Sequence, residues 1–97
     1  MIKDKYEIDE KARGKVLKAY FNKDSGRLQT LPNKEKKKVI IFQKIAENFE
    51  SARKYSEKEV NEIIKSFYDD YFIIRRSLID YGFMNRTQDC REYWVND

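Results

Sequence analysis

The sequence predicts an α+β fold of winged helix-turn-helix-like type, with four helices, short strands and a C-terminal β-hairpin in one domain. Three observations predict it. Apolar residues recur at three- and four-residue spacing in four segments. The last two of these segments are separated by a turn of about three residues, the connection of a helix-turn-helix. Beyond them, residues 83–86 and 92–95 flank the polar loop Thr87-Gln88-Asp89-Cys90-Arg91, the pattern of a hairpin.

Taken in order, residues 1–8 alternate charges with Ile2, Tyr6 and Ile8 and read as a loose arm. Asp9 caps a helix reaching about residue 21, with Val16, Leu17, Tyr20 and Phe21 on one side. Asn22-Lys23-Asp24-Ser25-Gly26 is a dense turn signal, and residues 27–31 read as a brief strand that Pro32 ends. Val39, Phe42, Ile45, Ala46 and Phe49 make residues 33–49 the expected central helix. Arg53-Lys54-Tyr55 suits a strand of a single pair. Ser56 and Glu59 then form a capping box for a helix over residues 57–67, whose face is Val60, Ile63, Ile64 and Phe67. Asp69 or Asp70 caps the fourth helix, with Tyr71, Ile74, Leu78 and Tyr81 in one stripe and Gly82 where a left-handed C-terminal cap belongs.

Composition bounds the function. Ninety-seven residues make one core, and a 14% aromatic content lets few side chains fill it. A single cysteine, Cys90, excludes an intrachain disulfide, and the absence of histidine leaves no Cys/His zinc cluster; a reducing, cytoplasmic setting follows as the expectation. Apolar runs no longer than four residues give neither a leader peptide nor a membrane span, so no membrane partner is expected. No cofactor is implied. No enzyme is expected either, because Cys90 has no histidine to activate it, the serines lack a base, and Asp69-Asp70 reads as a helix cap rather than a magnesium site. The net charge of +4 is unevenly spread: residues 1–55 carry 15 Lys and Arg against 8 Asp and Glu, net +7, whereas residues 56–97 carry 6 against 9, net −3.

Lys34, Lys36, Lys37 and Lys38 form the strongest candidate site. Four cations at a helix start oppose the helix dipole. They suit a phosphate held by free backbone N–H groups, or else a solvated helix start that Glu35 partly compensates. Arg75 and Arg76 fall mid-helix in the element that would enter a DNA groove, although Asp80, four residues after Arg76, offers it a structural partner. Arg86 and Arg91 flank the hairpin turn, where a wing touches backbone phosphates. Phe72, Ile73 and Ile79 add a second apolar face to the fourth helix, to be covered by the N-terminal helix or by a second subunit. If the first helix covers it, groove reading by the fourth is blocked.

Several segments together resemble a bacterial domain-of-unknown-function family, found in hypothetical prokaryotic proteins and fused to helix-turn-helix transcriptional regulators. The segments are Gly26-Arg27-Leu28, Leu31-Pro32 with Lys34, Lys36, Lys37 and Lys38, Tyr55 through Asn61, Asp69-Asp70-Tyr71, Ile74-Arg75-Arg76, Leu78 through Gly82, Arg86, and Tyr93-Trp94. They cover roughly residues 14–95. The resemblance implies a winged-helix-like fold and an association with transcription, and no activity. No separate DNA-binding domain precedes this stretch, so any partner domain is expected to be absent or on another chain. Two functions remain open. One is a domain binding DNA or another phosphate-bearing ligand. The other is a protein-interaction or ligand-sensing module that pairs with itself or with a regulator protein.

Overall fold

The computed structural model describes residues 2–96, and the four helices and the C-terminal hairpin form as expected. Helix α1 spans Glu10–Tyr20, α2 Glu35–Ala46, α3 Glu57–Lys65 and α4 Tyr71–Asp80. Strand β1 (Met84–Arg86) pairs antiparallel with β2 (Tyr93–Val95), in the register Met84 to Val95, Asn85 to Trp94 and Arg86 to Tyr93. On the other side of β2, Tyr55 makes a single antiparallel bridge to Tyr93 through two backbone hydrogen bonds of 2.8 Å. The hairpin is thereby tied to the segment that leads into α3.

Helix α2 lies at the centre. Val39, Ile40, Ile41 and Phe42 are all buried, and four consecutive buried residues require neighbours on every side of a helix. The core around it takes Leu28, Tyr55, Val60, Ile64, Ile74, Leu78, Met84 and Tyr93 from the other elements. Helix α1 packs on α2 and buries no residue fully. Arg13 fixes it there, donating to Gln43 at 3.0 Å and to Glu47 at 2.7 Å.

The helix ends follow local chemistry. The Ser56 hydroxyl accepts from the Glu59 N–H at 3.1 Å, and the Glu59 carboxylate accepts from the Ser56 N–H at 2.9 Å, so the capping box closes both ways. The backbone bond from Ser56, followed by the side-chain bond, holds the Glu59 carboxyl below its ordinary range. Asp70 caps α4 by accepting from the Ile73 N–H at 3.4 Å. Gly82, at φ +89°, ends it: Gly82 N–H donates to Ile79 O and Phe83 N–H to Leu78 O, the paired bonds of a Schellman motif. Only a residue tolerating left-handed backbone fits there. Helix α2, by contrast, has Lys34 at its N-cap with no side-chain cap bond.

Several boundaries differ from expectation. The strand over residues 27–31 reduces to one bridge between Phe21 and Leu28, because Asn22 accepts from the N–H groups of Asp24 and Ser25 and turns the chain at once. Helix α2 begins at Glu35 and ends at Ala46, after which Asn48 and Phe49 continue only as turns onto Ile45 and Ala46. Helix α3 stops at Lys65, whose carbonyl accepts from Arg27, while Arg27 also reaches Asp69 at 2.7 Å. Residues 2–8 are no loose arm: Ile2–Asp4 form a 3-10 turn, Lys3 N–H donates to Tyr81 O, and Ile2, Tyr6 and Ile8 pack on the core. Met1, the first residue of that expected arm, lies outside the described residues.

The fourth helix brings a larger correction. Helix α1 leaves the outer face of α4 uncovered, and Phe72 and Ile73 stay 54% and 45% exposed. The cause is the commitment of α1 to α2, sealed by the Arg13 bonds.

Candidate functional site

The α4 stripe of Ile74 and Leu78 is buried, which fixes how the arginines between them project. Successive helical residues turn by about 100°, so Arg75 and Arg76 leave α4 in different directions. Arg75 turns towards α3, and its side chain is only 13% exposed. Its guanidinium donates to Asn61 Oδ1 at 2.6 Å, pairs with Glu57 Oε1 at 3.3 Å and lies 5.3 Å from the centre of the Phe72 ring. Arg76 points outward with its side chain 73% exposed, and meets Asp80 only at 3.9 Å. Arg75 is therefore fully engaged within the protein, whereas Arg76 remains available.

The hairpin stands beside α4, and a pocket of about 370 Å³ opens between them. From α4 come Phe72, Arg75, Arg76 and Ile79, with Asp80 at the helix end. The hairpin supplies Arg86, Cys90 and the buried Tyr93, and Glu57 of α3 completes the lining. Three of the four expected arginines thus share one groove. Arg86 donates through Nη1 to the carbonyls of Thr87 at 3.1 Å and Gln88 at 3.5 Å; both acceptors are neutral, so its charge has no carboxylate partner among the described residues. Cys90 reaches the groove from a left-handed backbone conformation, φ +61°.

Tyr93 is 2% exposed and donates to Glu57 Oε2 at 3.3 Å. Burial pushes its hydroxyl up to about 12; Arg75 opposes the shift, and Glu57 and Cys90 add to it. The phenol is therefore a neutral donor at ordinary pH. With Arg75 closed on Glu57, the positive charge that the groove presents outward belongs to Arg76 and Arg86.

The remaining candidates lie apart from this groove. Arg91 is exposed on the loop and pairs with Asp89 at 3.4 Å; Thr87 holds the Asp89 carboxyl below its ordinary range by a hydrogen bond, the Arg91 N–H adding to it. Lys34 and Lys36 are exposed at the α2 start, Lys38 is half-buried, and Lys37 Nζ sits 5.7 Å from the centre of the Tyr20 ring. Glu35 turns to the N-terminal segment: it accepts from Tyr6 Oη at 2.6 Å and pairs with Lys5 at 3.4 Å, and these contacts, led by the Tyr6 bond, lower its pKa. Of the apolar trio, Phe72 and Ile79 wall the groove, while Ile73 stands outside it.

Sequence reasoning did not connect Glu57, Asn61, Cys90 and Tyr93 with the arginines. Glu57 and Asn61 are four residues apart, hence on one side of α3, a polar flank beside Val60 and Ile64 that could have been matched to Arg75. Cys90 and Tyr93 carry no such signal, since the loop geometry sets their direction. Among the described residues, no group of three His, Cys, Asp or Glu side chains is placed to hold a metal ion, and no helix is long and apolar enough to cross a membrane.

This helix-and-hairpin arrangement is an α+β domain belonging to a bacterial family. The chain is a member of the family described as uncharacterized protein conserved in bacteria (DUF2087), whose model matches residues 27–95. No curated protein and no solved structure matches it. The matched span holds α2 to α4 and the hairpin, and so the entire groove.

Proposed function

We propose that this is a winged-helix-like domain that binds nucleic-acid backbones without catalysis, in association with transcription. One observation carries the reading. The outer face of α4 is uncovered, and it shares a groove with the hairpin into which Arg76 and Arg86 project. In winged-helix recognition the second helix of the turn pair and the adjoining wing are the parts that meet a duplex. The order of elements and the bridge from Tyr55 to Tyr93 support that reading, as does the resemblance to domains fused to helix-turn-helix regulators. Arg91 and the lysines at the α2 start are outlying phosphate contacts in this scheme. Arg75 is removed from it, because its guanidinium is spent on Glu57 and Asn61.

The test is salt-dependent binding to random duplex DNA. Contacts to several phosphates give a steep loss of affinity as salt rises. Absence of binding at low salt, or binding unchanged when Arg76, Arg86, Arg91 and the four lysines become alanine, rejects the proposal.

A second reading has its own observation. Phe72 and Ile73 are exposed, and Asp69 and Asp70 lie at the start of α4, where a phosphate backbone would meet two carboxylates. These features suit a protein-interaction or ligand-sensing module that pairs with itself or with a regulator protein. No DNA binding together with self-association lost in Phe72→Ser selects it.

A further inference from the structure

The groove between α4 and the hairpin has an apolar wall that a phosphodiester backbone would not use. We propose that it binds a small organic anion, a phosphate monoester or carboxylate borne on a flat apolar body. Its volume of about 370 Å³ falls within the range of small-molecule sites.

The charges sort themselves into spent and unspent. Arg75 and Glu57 form a closed pair at 3.3 Å, reinforced by Asn61, and cancel each other. Arg86 bonds only to neutral carbonyls, so an anion adds to it without displacing a carboxylate. Arg76 holds Asp80 at 3.9 Å with both side chains largely exposed, a pairing so weak that a bound anion exchanges for it readily. Two guanidinium groups, one from the helix and one from the hairpin, are left to grip one head group in their fork geometry.

The body of the ligand is defined by the same walls. Phe72 is 54% exposed, and the Arg75 guanidinium lies 5.3 Å from its ring centre, so an aromatic face is open for stacking. Ile79 continues that face along α4. The site rests on the groove alone and holds whether or not the face also binds nucleic acid.

The experiment is an NMR titration of the full chain with phenyl phosphate and with benzoate, using inorganic phosphate as the head alone and phenol as the body alone. Saturable shifts are expected at Ile79, Arg86 and Cys90, with a Kd for phenyl phosphate or benzoate of about 1 mM or below. Each separate part should bind at least about tenfold more weakly than the whole. The stronger of the two whole probes identifies the head group as phosphate or carboxylate. Arg76→Ala with Arg86→Ala should weaken binding about tenfold, and Lys15→Ala with Lys18→Ala, exposed on α1 away from the groove, should leave it unchanged. No saturation by about 10 mM, shifts confined to other surfaces, inorganic phosphate binding as tightly as phenyl phosphate, or an arginine double variant that binds like the parent would each overturn the proposal. Should that double variant fail to fold, the map on the parent chain decides.

Discussion

Arg75 and Glu57 lie 3.3 Å apart across the junction between α3 and α4, and this pair separates two adjacent arginines into different roles. Arg75 ties helices together; Arg76, one residue on, faces solvent. Removing Arg75 takes the shared donor from Asn61 and Glu57; Glu57 is part-exposed and keeps the Tyr93 hydroxyl, so the loss is that of a hydrogen-bonded contact, about 1 kcal/mol. Arg76→Ala removes only an exposed pair at four-residue spacing, worth a few tenths of a kcal/mol. Urea denaturation of Arg75→Ala and Arg76→Ala should show that order. Equal midpoints would mean that the α3–α4 pair is not structural.

Nucleic-acid binding should rank the same two residues in reverse. Removing a single protein–phosphate interaction lowers the slope of log affinity against log salt by roughly 0.9. Arg76→Ala and Arg86→Ala are each expected to lower it by about that amount, and Arg75→Ala, if folded, to leave it unchanged. Fluorescence anisotropy of a labelled duplex over a salt series reads the slope directly.

The cap of α3 gives a prediction independent of function. Ser56→Ala removes the acceptor for the Glu59 N–H and should destabilise the protein by about 1 kcal/mol. Ser56→Gly should cost less, because glycine is tolerated at N-caps. Thermal midpoints of the two variants provide the comparison.

The capping box was legible in the sequence because its partners are three residues apart, and the same holds for Gly82 and for the helical stripes. What escaped sequence reading is long-range. Residues 2–8 read as an arm because nothing local shows that Tyr6 meets Glu35 or that Lys3 meets Tyr81. Whether α1 would cover α4 depended on Arg13 reaching Gln43 and Glu47, thirty or more positions on. The candidate arginines were visible as residue types and positions. Their division into spent Arg75 and available Arg76 and Arg86 was not, since it turns on Glu57 and on carbonyls in the hairpin loop.

Alkaline pH probes the lining of the groove. The Tyr93 hydroxyl ionises near 10 in the unfolded chain and about 12 in the folded one, chiefly because it is buried. A raised pKa means that its stabilising contribution is complete below pH 10 and is lost as pH rises towards about 12. Tyr6 and Tyr81 are also raised, by the Glu35 hydrogen bond and by burial respectively, and act in the same direction. Stability should therefore fall across that window, and more gently in Tyr93→Phe. Urea midpoints taken at intervals up to pH 12 test this, and a Tyr93→Phe profile parallel to that of the parent would exclude the buried phenol as a source.

Acid tests the N-terminal clasp with the opposite sign. Glu35 titrates at 4.5 when unperturbed, and in the fold the Tyr6 hydrogen bond, with Lys5 and Lys38 adding, keeps its carboxyl below that value. A lowered pKa contributes stability that is present above pH 4.5 and lost as pH falls through the folded value, because the unfolded chain then takes up the proton first. In Tyr6→Phe the largest cause of the shift is gone while the ring can still pack on the core. The acid limb should thus become shallower, even though Glu59 and Asp89, lowered by their own hydrogen bonds, continue to titrate in both proteins. NMR titration of the Glu35 carboxyl should place it closer to its ordinary value in Tyr6→Phe. An unchanged Glu35 titration would show that the N-terminal segment does not clasp α2 through this bond.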